Sequence, residues 1–496
     1  MTTIHPHRLA RWRGGYLPPG LPAAIAQGIR HETLHFGDLA IEVPAPDAAQ
    51  MQALARHVRE AARRVLQPLR VSEIVTLVDK AVHRLLDPRD PWRQRADDLL
   101  PRVTGYDAEM VRLGLTAYLH NFRAPQLHRF VAEDFANPKV LDEFQPSPRG
   151  GQVRALGPAL LAHGWAGNVP GLPLWSLACG LLVKAGNVGK LPSAEPVFAS
   201  LFARLLAEVH PPLADCLAVV WWKGGEPGPA AALYREADCV LAYGGNEAIA
   251  QVRGLVPATT RFLGYGHKLG VALAGREALD PRRVGDLARQ VAHDVVRYEQ
   301  QGCYSPHVVY VERGGRIDPR GFSQRLAAEL AAAGRRQPRP ALALDEAAAV
   351  GAWREAAEMR TLSSAGAELL GDAQSSWAVA HAEGPLPLMP SAGWRCVQVV
   401  AVDALEAVPG LLAPHAAYLQ TAALAVAPRR LQALAEALAL AGVTRLCAPG
   451  AMTAPEAGWH HDGGFNLASL VRMVDIEAGA ERASDALAGY AQEDRA

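Results

Sequence analysis

The chain has no C-x-x-C pair, no unbroken membrane-length apolar run and no net charge. Its six cysteines, Cys179, Cys216, Cys239, Cys303, Cys396 and Cys447, are scattered without paired spacing. That pattern argues against a disulfide framework and against a structural zinc module. Lys plus Arg and Asp plus Glu each number 50, so no overall field favours nucleic acid or an anionic membrane surface. The N-terminus, MTTIHPHRLARWRGG, is basic but lacks the apolar core of a signal peptide. The longest apolar stretch, Ala155 to Ala185, is interrupted by Gly, Pro, Asn and His, which argues against a membrane span. A cytoplasmic, reducing setting is therefore expected.

At 496 residues, the chain exceeds what one hydrophobic core usually supports, so at least two lobes are expected. Residues 1–150 read as mainly helical, with apolar residues at three- and four-residue spacing in VREAARRVLQPLRVSEIVTLVDKAVHRLL. From Gln152 strands and helices alternate. VRALGPALLAHG, GKLP, CLAVVWW, DCVLAYGG and TTRFLGYG read as strands, and helical segments lie between them. This alternation predicts βαβ units and a parallel sheet, with ligands at the carboxyl ends of strands. The helix before Tyr298, the strand HVVYVE and the later strand-like WRCVQVVAV and TRLCA continue it. The expected division is a helical part over 1–150, a dinucleotide-binding α/β core over 151–265, a catalytic α/β domain over 266–450 and a closing segment over 451–496.

Two strand-to-helix corners stand out. AGNVPGLPLW turns at Gly167 and Asn168, and AYGGNEA turns at Gly244, Gly245 and Asn246. Exposed N–H groups at a helix start attract anions such as a pyrophosphate. Either corner alone is a plain turn; two on one sheet point to a dinucleotide. A third corner, QGCYSP, places the Cys303 thiol between a helix and a strand. A thiol is intrinsically nucleophilic, whereas a lone cysteine is ordinarily a small buried hydrophobe.

These motifs, with GNVGKLPSAEP, GYGHKLGVA and the ending GWHHDGGFNLASLVRMVDIE, resemble the long-chain acyl-CoA reductases (LuxC type) of the aldehyde dehydrogenase superfamily. The likeness runs from about Gly150 to Glu477. It implies two Rossmann-like α/β lobes, one for cofactor and one for catalysis, with a small oligomerisation element. Cys303 matches the nucleophile, and Asn168 matches the asparagine whose amide joins the Cys303 backbone N–H in an oxyanion hole. Gly167, Gly244, Gly245 and Asn246 fall on the cofactor side. Lys190 lies near the lysine that holds the adenine-side ribose or its phosphate, offset by one residue when the segment is aligned on Ser193. NADPH is the implied reductant, with NADH as the alternative, CoA as the leaving group and no metal.

Two departures matter. Hydrolytic relatives carry a water-activating glutamate where Gly264-Tyr265-Gly266-His267-Lys268 here has Gly264. Without that base, a thiol is the more natural acyl donor or acceptor. No Glu-Glu-x-x-Gly-Pro segment lies downstream, which leaves the nicotinamide-ribose contact unassigned. The implied substrate is an acyl-CoA or acyl-protein thioester, and the implied partner is an acyl-protein synthetase. A hydrolytic aldehyde dehydrogenase and a subunit that merely carries an acyl group on Cys303 are the alternatives. The chain length or aromaticity of the acyl group stays open.

Other residues have ordinary readings. Gly302 is expected to leave room for substrate. His267 is a candidate substrate or proton-transfer contact, weighed against a hydrogen-bonded core histidine. Glu299 reads as a solvated helix end. His460, His461 and Asp462 read as structural, because adjacent histidines point opposite ways on an extended chain. VRMVDIE suggests a strand that pairs two copies of the chain into a homo-oligomer.

Overall fold

The computed structural model describes residues 10–488. The alternating segments from Leu160 to Tyr265 form one five-stranded sheet. Its order is Arg261–Tyr265, Cys239–Tyr243, Leu160–Gly164, Gly186–Lys190, Leu217–Val220, and every pairing is parallel. The chain fills one side of Leu160–Gly164 first and then crosses to the other. The corners after Gly164 and Tyr243 therefore flank a topological switch point, where α/β sheets take ligands. The helix between Leu160–Gly164 and Gly186–Lys190, Pro173–Leu182, is buried at every position. That explains its nearly uniform apolarity.

Seven strands form the second large sheet, ordered Glu368–Leu370, Ala378–Ala382, Cys396–Val402, Pro306–Glu312, Leu269–Ala274, Leu419–Ala425, Arg445–Cys447. All neighbours are parallel except the first pair. Pro306–Glu312 is central and buried along its whole length, as expected of a parallel strand covered on both faces. Cys303 precedes this strand, and Gln420 lies near the start of another. The second sheet thus turns its amino ends toward the carboxyl ends of the first.

Two sequence expectations change. VRALGPALLAHG is not one strand but two, Gln152–Leu156 and Leu160–Gly164. The break falls at Gly157-Pro158, where a Cβ on Gly157 would collide with the Val183 carbonyl. The first piece pairs antiparallel with Arg472–Ile476 of the closing segment. Residues before 150 do hold helices from Ala48 to Asp134, but a three-stranded sheet precedes them. Its hairpin, Arg30–Phe36 with Leu39–Ala45, turns at Gly37-Asp38 with Gly37 at φ +57°, the two-residue glycine turn that suits strand twist. Among the described residues, no helix is long and apolar enough to cross a membrane.

Candidate active site

The helix leading to Cys303 ends at Val296. Beyond it the backbone enters a left-handed turn: Tyr298, Glu299 and Gln300 have φ of 52°, 54° and 64°. Facing it is a second left-handed run, Gly393, Trp394 and Arg395, at 70°, 53° and 68°. A non-glycine residue held there costs on the order of 1–3 kcal/mol, so each run needs its surroundings to hold it. The Trp394 N–H donates to the Glu299 carbonyl at 3.0 Å. Arg395 Nε and Nη2 donate to the two Glu299 carboxylate oxygens at 2.7 and 2.5 Å, and neither side chain is exposed at all. Gln300 Nε2 donates to the carbonyls of Pro306 and Cys396 at 2.7 and 2.9 Å. Glu299 is therefore no solvated helix end, because the helix stops before it and its carboxylate turns inward to a guanidinium.

This scaffold presents Cys303 to a cleft of about 420 Å³ between the two large sheets. Asn168 lies across from it. Its Nδ2 donates to the Gln301 carbonyl at 2.7 Å, which fixes the amide with its nitrogen toward the nucleophile loop. One N–H of that amide is thereby used and one remains. Gln420 Nε2 donates to Cys303 Sγ at 3.4 Å and to Asp462 Oδ1 at 2.6 Å. Burial pushes the thiol up to about 11; the Gln420 hydrogen bond pulls it down, and the Asp462 charge pushes it up. The resting group is thus a protonated thiol, which must lose its proton to react. Gly302 does not open space for substrate, since a Cβ there would meet the Tyr304 ring.

Gly167, Gly244, Gly245 and His267 line the same cleft as Cys303 and Asn168. Gly245 caps the helix Asn246–Leu255 without any side-chain cap, and a Cβ on it would meet nothing within 4 Å. The backbone there is open to an anion. Asn246 faces the adjoining cavity, and its Oδ1 accepts from the His267 backbone N–H at 2.9 Å. His267 is not a core histidine: it is exposed at the mouth of the cleft, and burial of its ring shifts it downward. Lys190 and Ser193 do not line the cleft. Lys190 is the last residue of Gly186–Lys190 and Ser193 follows it; Lys190 Nζ sits 5.5 Å from the Trp222 ring centre, and Ser193 Oγ accepts from Trp221 Nε1 at 3.1 Å.

Sequence reasoning missed Gln420, Asp462, His461, His307 and Ser391, all of which line the cleft. His461 stacks on Tyr265 with ring centres 4.3 Å apart, so the closing segment enters the site rather than serving only as structure. Asp462 holds φ +51°, a conformation favoured for Asp among non-glycine residues. The Ser391 N–H donates to His307 Nδ1 at 3.1 Å, which leaves that nitrogen an acceptor and the ring neutral. Burial also presses His307 down to about 4. Among the residues lining the cleft, Asp462 is the sole acid. No cluster of three or more metal-ligating side chains occurs among the described residues.

Comparison with known proteins fits this geometry. The family described as acyl-CoA reductase (LuxC) matches residues 66–473. The chain is 24% identical over 452 residues to a long-chain acyl-protein thioester reductase of Photorhabdus luminescens, covering 90% of this chain and 89% of that one. A protein of the same name from Aliivibrio fischeri is 31% identical over 217 residues, 42% of this chain and 44% of that one. Among solved structures, a putative aldehyde dehydrogenase from Burkholderia cenocepacia superposes with a TM-score of 0.70 at 14% identity, covering 93% and 99% of the two chains. An NAD-dependent benzaldehyde dehydrogenase from Corynebacterium glutamicum superposes at 0.67 and 14%, covering 90% and 94%. The two mainly parallel lobes are thus those of the aldehyde dehydrogenase fold.

Proposed function

The chain belongs to the acyl-CoA reductase (LuxC) family, and from that premise we propose that it reduces an acyl-CoA to the aldehyde through an acyl group carried on Cys303. The observation that carries this reading is a half-buried thiol and an asparagine lining one cleft, with the asparagine amide nitrogen bonded to the nucleophile loop and one N–H left over. Cys303 gives up its proton and Sγ bonds to the thioester carbon. The carbonyl electrons shift to oxygen, where Asn168 Nδ2 and the Cys303 backbone N–H hold the charge. Each such donor is worth about 2.7–4 kcal/mol of barrier. The bond to the leaving sulfur then breaks, and CoA departs as the thiol with the proton. Gly244, Gly245 and the open start of Asn246–Leu255 suit a pyrophosphate, and Lys190 with Ser193 suits the adenosine end. Lys190 is compatible with the 2′-phosphate of NADPH, with NADH as the alternative. A reduced nicotinamide dinucleotide held there would supply hydride. After reduction the same oxyanion hole serves the second tetrahedral carbon; its collapse returns electrons to Cys303 Sγ, which is reprotonated as the aldehyde leaves.

The carboxylate expected of a hydrolytic site is replaced by Gly264, and Asp462 is tied to the Gln420 amide. That supports thiol rather than water as the acyl acceptor. The relatives' names favour an acyl-protein as a second donor with the same chemistry, and with it a synthetase partner. The outer edge of Arg472–Ile476 has no neighbour among the described residues, which supports pairing of two copies there. The deciding experiment converts Cys303 to Ala and, separately, to Ser and measures cofactor-dependent aldehyde formation. Loss in both is expected; undiminished turnover in either refutes the assignment. Run in reverse, aldehyde oxidation should require added free CoA, and oxidation indifferent to CoA would instead favour hydrolysis.

A further inference from the structure

His307 turns toward the cleft a hydrogen-bond donor that the described chain does not use. The residue is buried on the central strand Pro306–Glu312 and lines the cleft. Ser391 meets its Nδ1 twice, with the backbone N–H at 3.1 Å and with Oγ at 2.8 Å. That Oγ accepts from the Gly393 N–H at 3.2 Å, which leaves its own hydrogen for Nδ1. A ring nitrogen facing an N–H carries no proton, so the single hydrogen of the neutral imidazole is on Nε2. Nε2 bonds to no described residue and is not sealed from solvent.

We propose that the His307 Nε2–H holds a hydroxyl oxygen of the nicotinamide-side ribose of the bound dinucleotide. The inference rests on the reductase reading and adds to it the contact that fixes the reducing half of the cofactor.

Position selects the ribose. Cys303 faces both the main cleft and an aromatic cavity beside it, walled by Tyr118, Trp175, Tyr304 and Trp459. His307 and Ser391 face only the cleft, as do Gly244 and Gly245. A nicotinamide that offers hydride at Cys303 turns its ribose away from the sulfur, toward its pyrophosphate. Charge selects a donor. Asp462, the one acid lining the cleft, is bonded to Gln420 beside the sulfur, so no carboxylate is left for the ribose. His267 stands near, with ring centres 6.5 Å apart, but it is exposed and its ring makes no hydrogen bond among the described residues. Only His307 has a fixed tautomer on a rigid strand. Burial first, and His267 second, keep its ring from charging, so it orients a ligand without exchanging protons.

The test measures binding of NADPH and NADH to the purified chain by reduced-nicotinamide fluorescence, then displaces the tighter one with two fragments. For NADPH these are 2′-phospho-ADP-ribose, which lacks only the nicotinamide ring, and 2′-phosphoadenosine 5′-diphosphate, which ends at the pyrophosphate. For NADH they are ADP-ribose and ADP. His307→Asn keeps an acceptor where Nδ1 stood and ends short of Nε2. It should weaken the dinucleotide and the ribose-bearing fragment about three- to tenfold, the loss of one hydrogen bond, and leave the shorter fragment unchanged. His307→Gln reaches the Nε2 position with an N–H and should restore most of the affinity. His307→Leu carries the same comparison if the asparagine variant does not fold. Weakening of the dinucleotide alone puts the contact on the ring and overturns the ribose assignment. Equal weakening of all three ligands makes His307 a packing residue and overturns it too, as does no change in any. A wild-type chain that binds neither dinucleotide overturns the reductase reading and this inference with it.

Discussion

The two ends of the strand Pro306–Glu312 each meet a buried glutamate bound by arginine, and they are built differently. Before the strand, Glu299 and Arg395 are both wholly inaccessible and join two left-handed turns. At its far end, Glu312 is equally buried but its partners, Arg276 and Arg430, keep side-chain exposures of 51% and 16%. Geometry around Glu312 is ordinary: Arg276 and Arg430 donate to its oxygens at 2.7–2.9 Å from regular structure. One pair holds backbone that would not hold itself, four residues from the nucleophile. The other fastens a strand end to its neighbours. A buried charge beside strained backbone thus points to a functional loop, whereas a buried charge with wet partners points to fastening.

The largest expected effect tests the first half of that contrast. Arg395→Met leaves Glu299 buried and unpaired, which should cost about 3–5 kcal/mol of stability, read as a fall in the urea midpoint. The double variant Glu299→Leu with Arg395→Met removes both charges and should recover much of that stability. If the pair positions the loop, the double variant remains folded yet carboxamidomethylates Cys303 with an altered pH profile and turns over poorly. Wild-type turnover in the folded double variant would reduce the pair to a stability device.

A smaller effect is expected at the far end. Glu312→Gln leaves arginines that reach water, so the loss should be about 1–3 kcal/mol, with kcat of the folded protein unchanged. A fall in kcat would break the contrast. Acid titration sharpens it. Burial alone would raise the Glu312 carboxyl, but hydrogen bonds from Arg276 and Arg430 outweigh it and hold it at about 2, against an ordinary 4.5. A depressed carboxyl contributes stability above its unfolded value and loses it as pH falls. Wild type should therefore lose this increment between about pH 4.5 and pH 2, and Glu312→Gln should show a flatter acid limb in denaturant midpoints.

The same contrast explains what the sequence could disclose. Strand and helix alternation is written locally, in apolar periodicity and glycine corners, and Cys303, Asn168 and Gly244-Gly245 sit at such corners. Glu299 with Arg395, and Gln420 with Asp462, are joined only by folding, across sequence separations of 96 and 42. The left-handed turn at Tyr298–Gln300 has no glycine to announce it, so its helix-like spacing read straight through the break. GWHHDGG misled for another reason: adjacent histidines do diverge, yet only His461 and Asp462 face the cleft, through a positive φ at Asp462 that an extended-chain reading does not contain.

The smallest expected effect lies at the nucleophile itself, where charge rather than backbone is adjusted. Gln420 divides its two amide hydrogens between Cys303 Sγ and Asp462 Oδ1. Its bond to sulfur lowers the thiol, and the Asp462 charge raises it. Below the thiol's value near 11, the thiolate fraction, and with it the alkylation rate, rises about tenfold per pH unit. Asp462→Asn removes the raising charge, so the alkylation profile should shift to lower pH. Gln420→Leu removes the lowering hydrogen bond and should shift it higher. Both variants keep the Glu299–Arg395 scaffold, so neither should move the denaturant midpoint as far as Arg395→Met does. Opposite shifts of the two profiles would mean that the backbone presents the sulfur while the Gln420–Asp462 pair sets its proton affinity; shifts in the same direction would mean the pair acts by packing, and the division of labour between the loop's frame and its chemistry would fail.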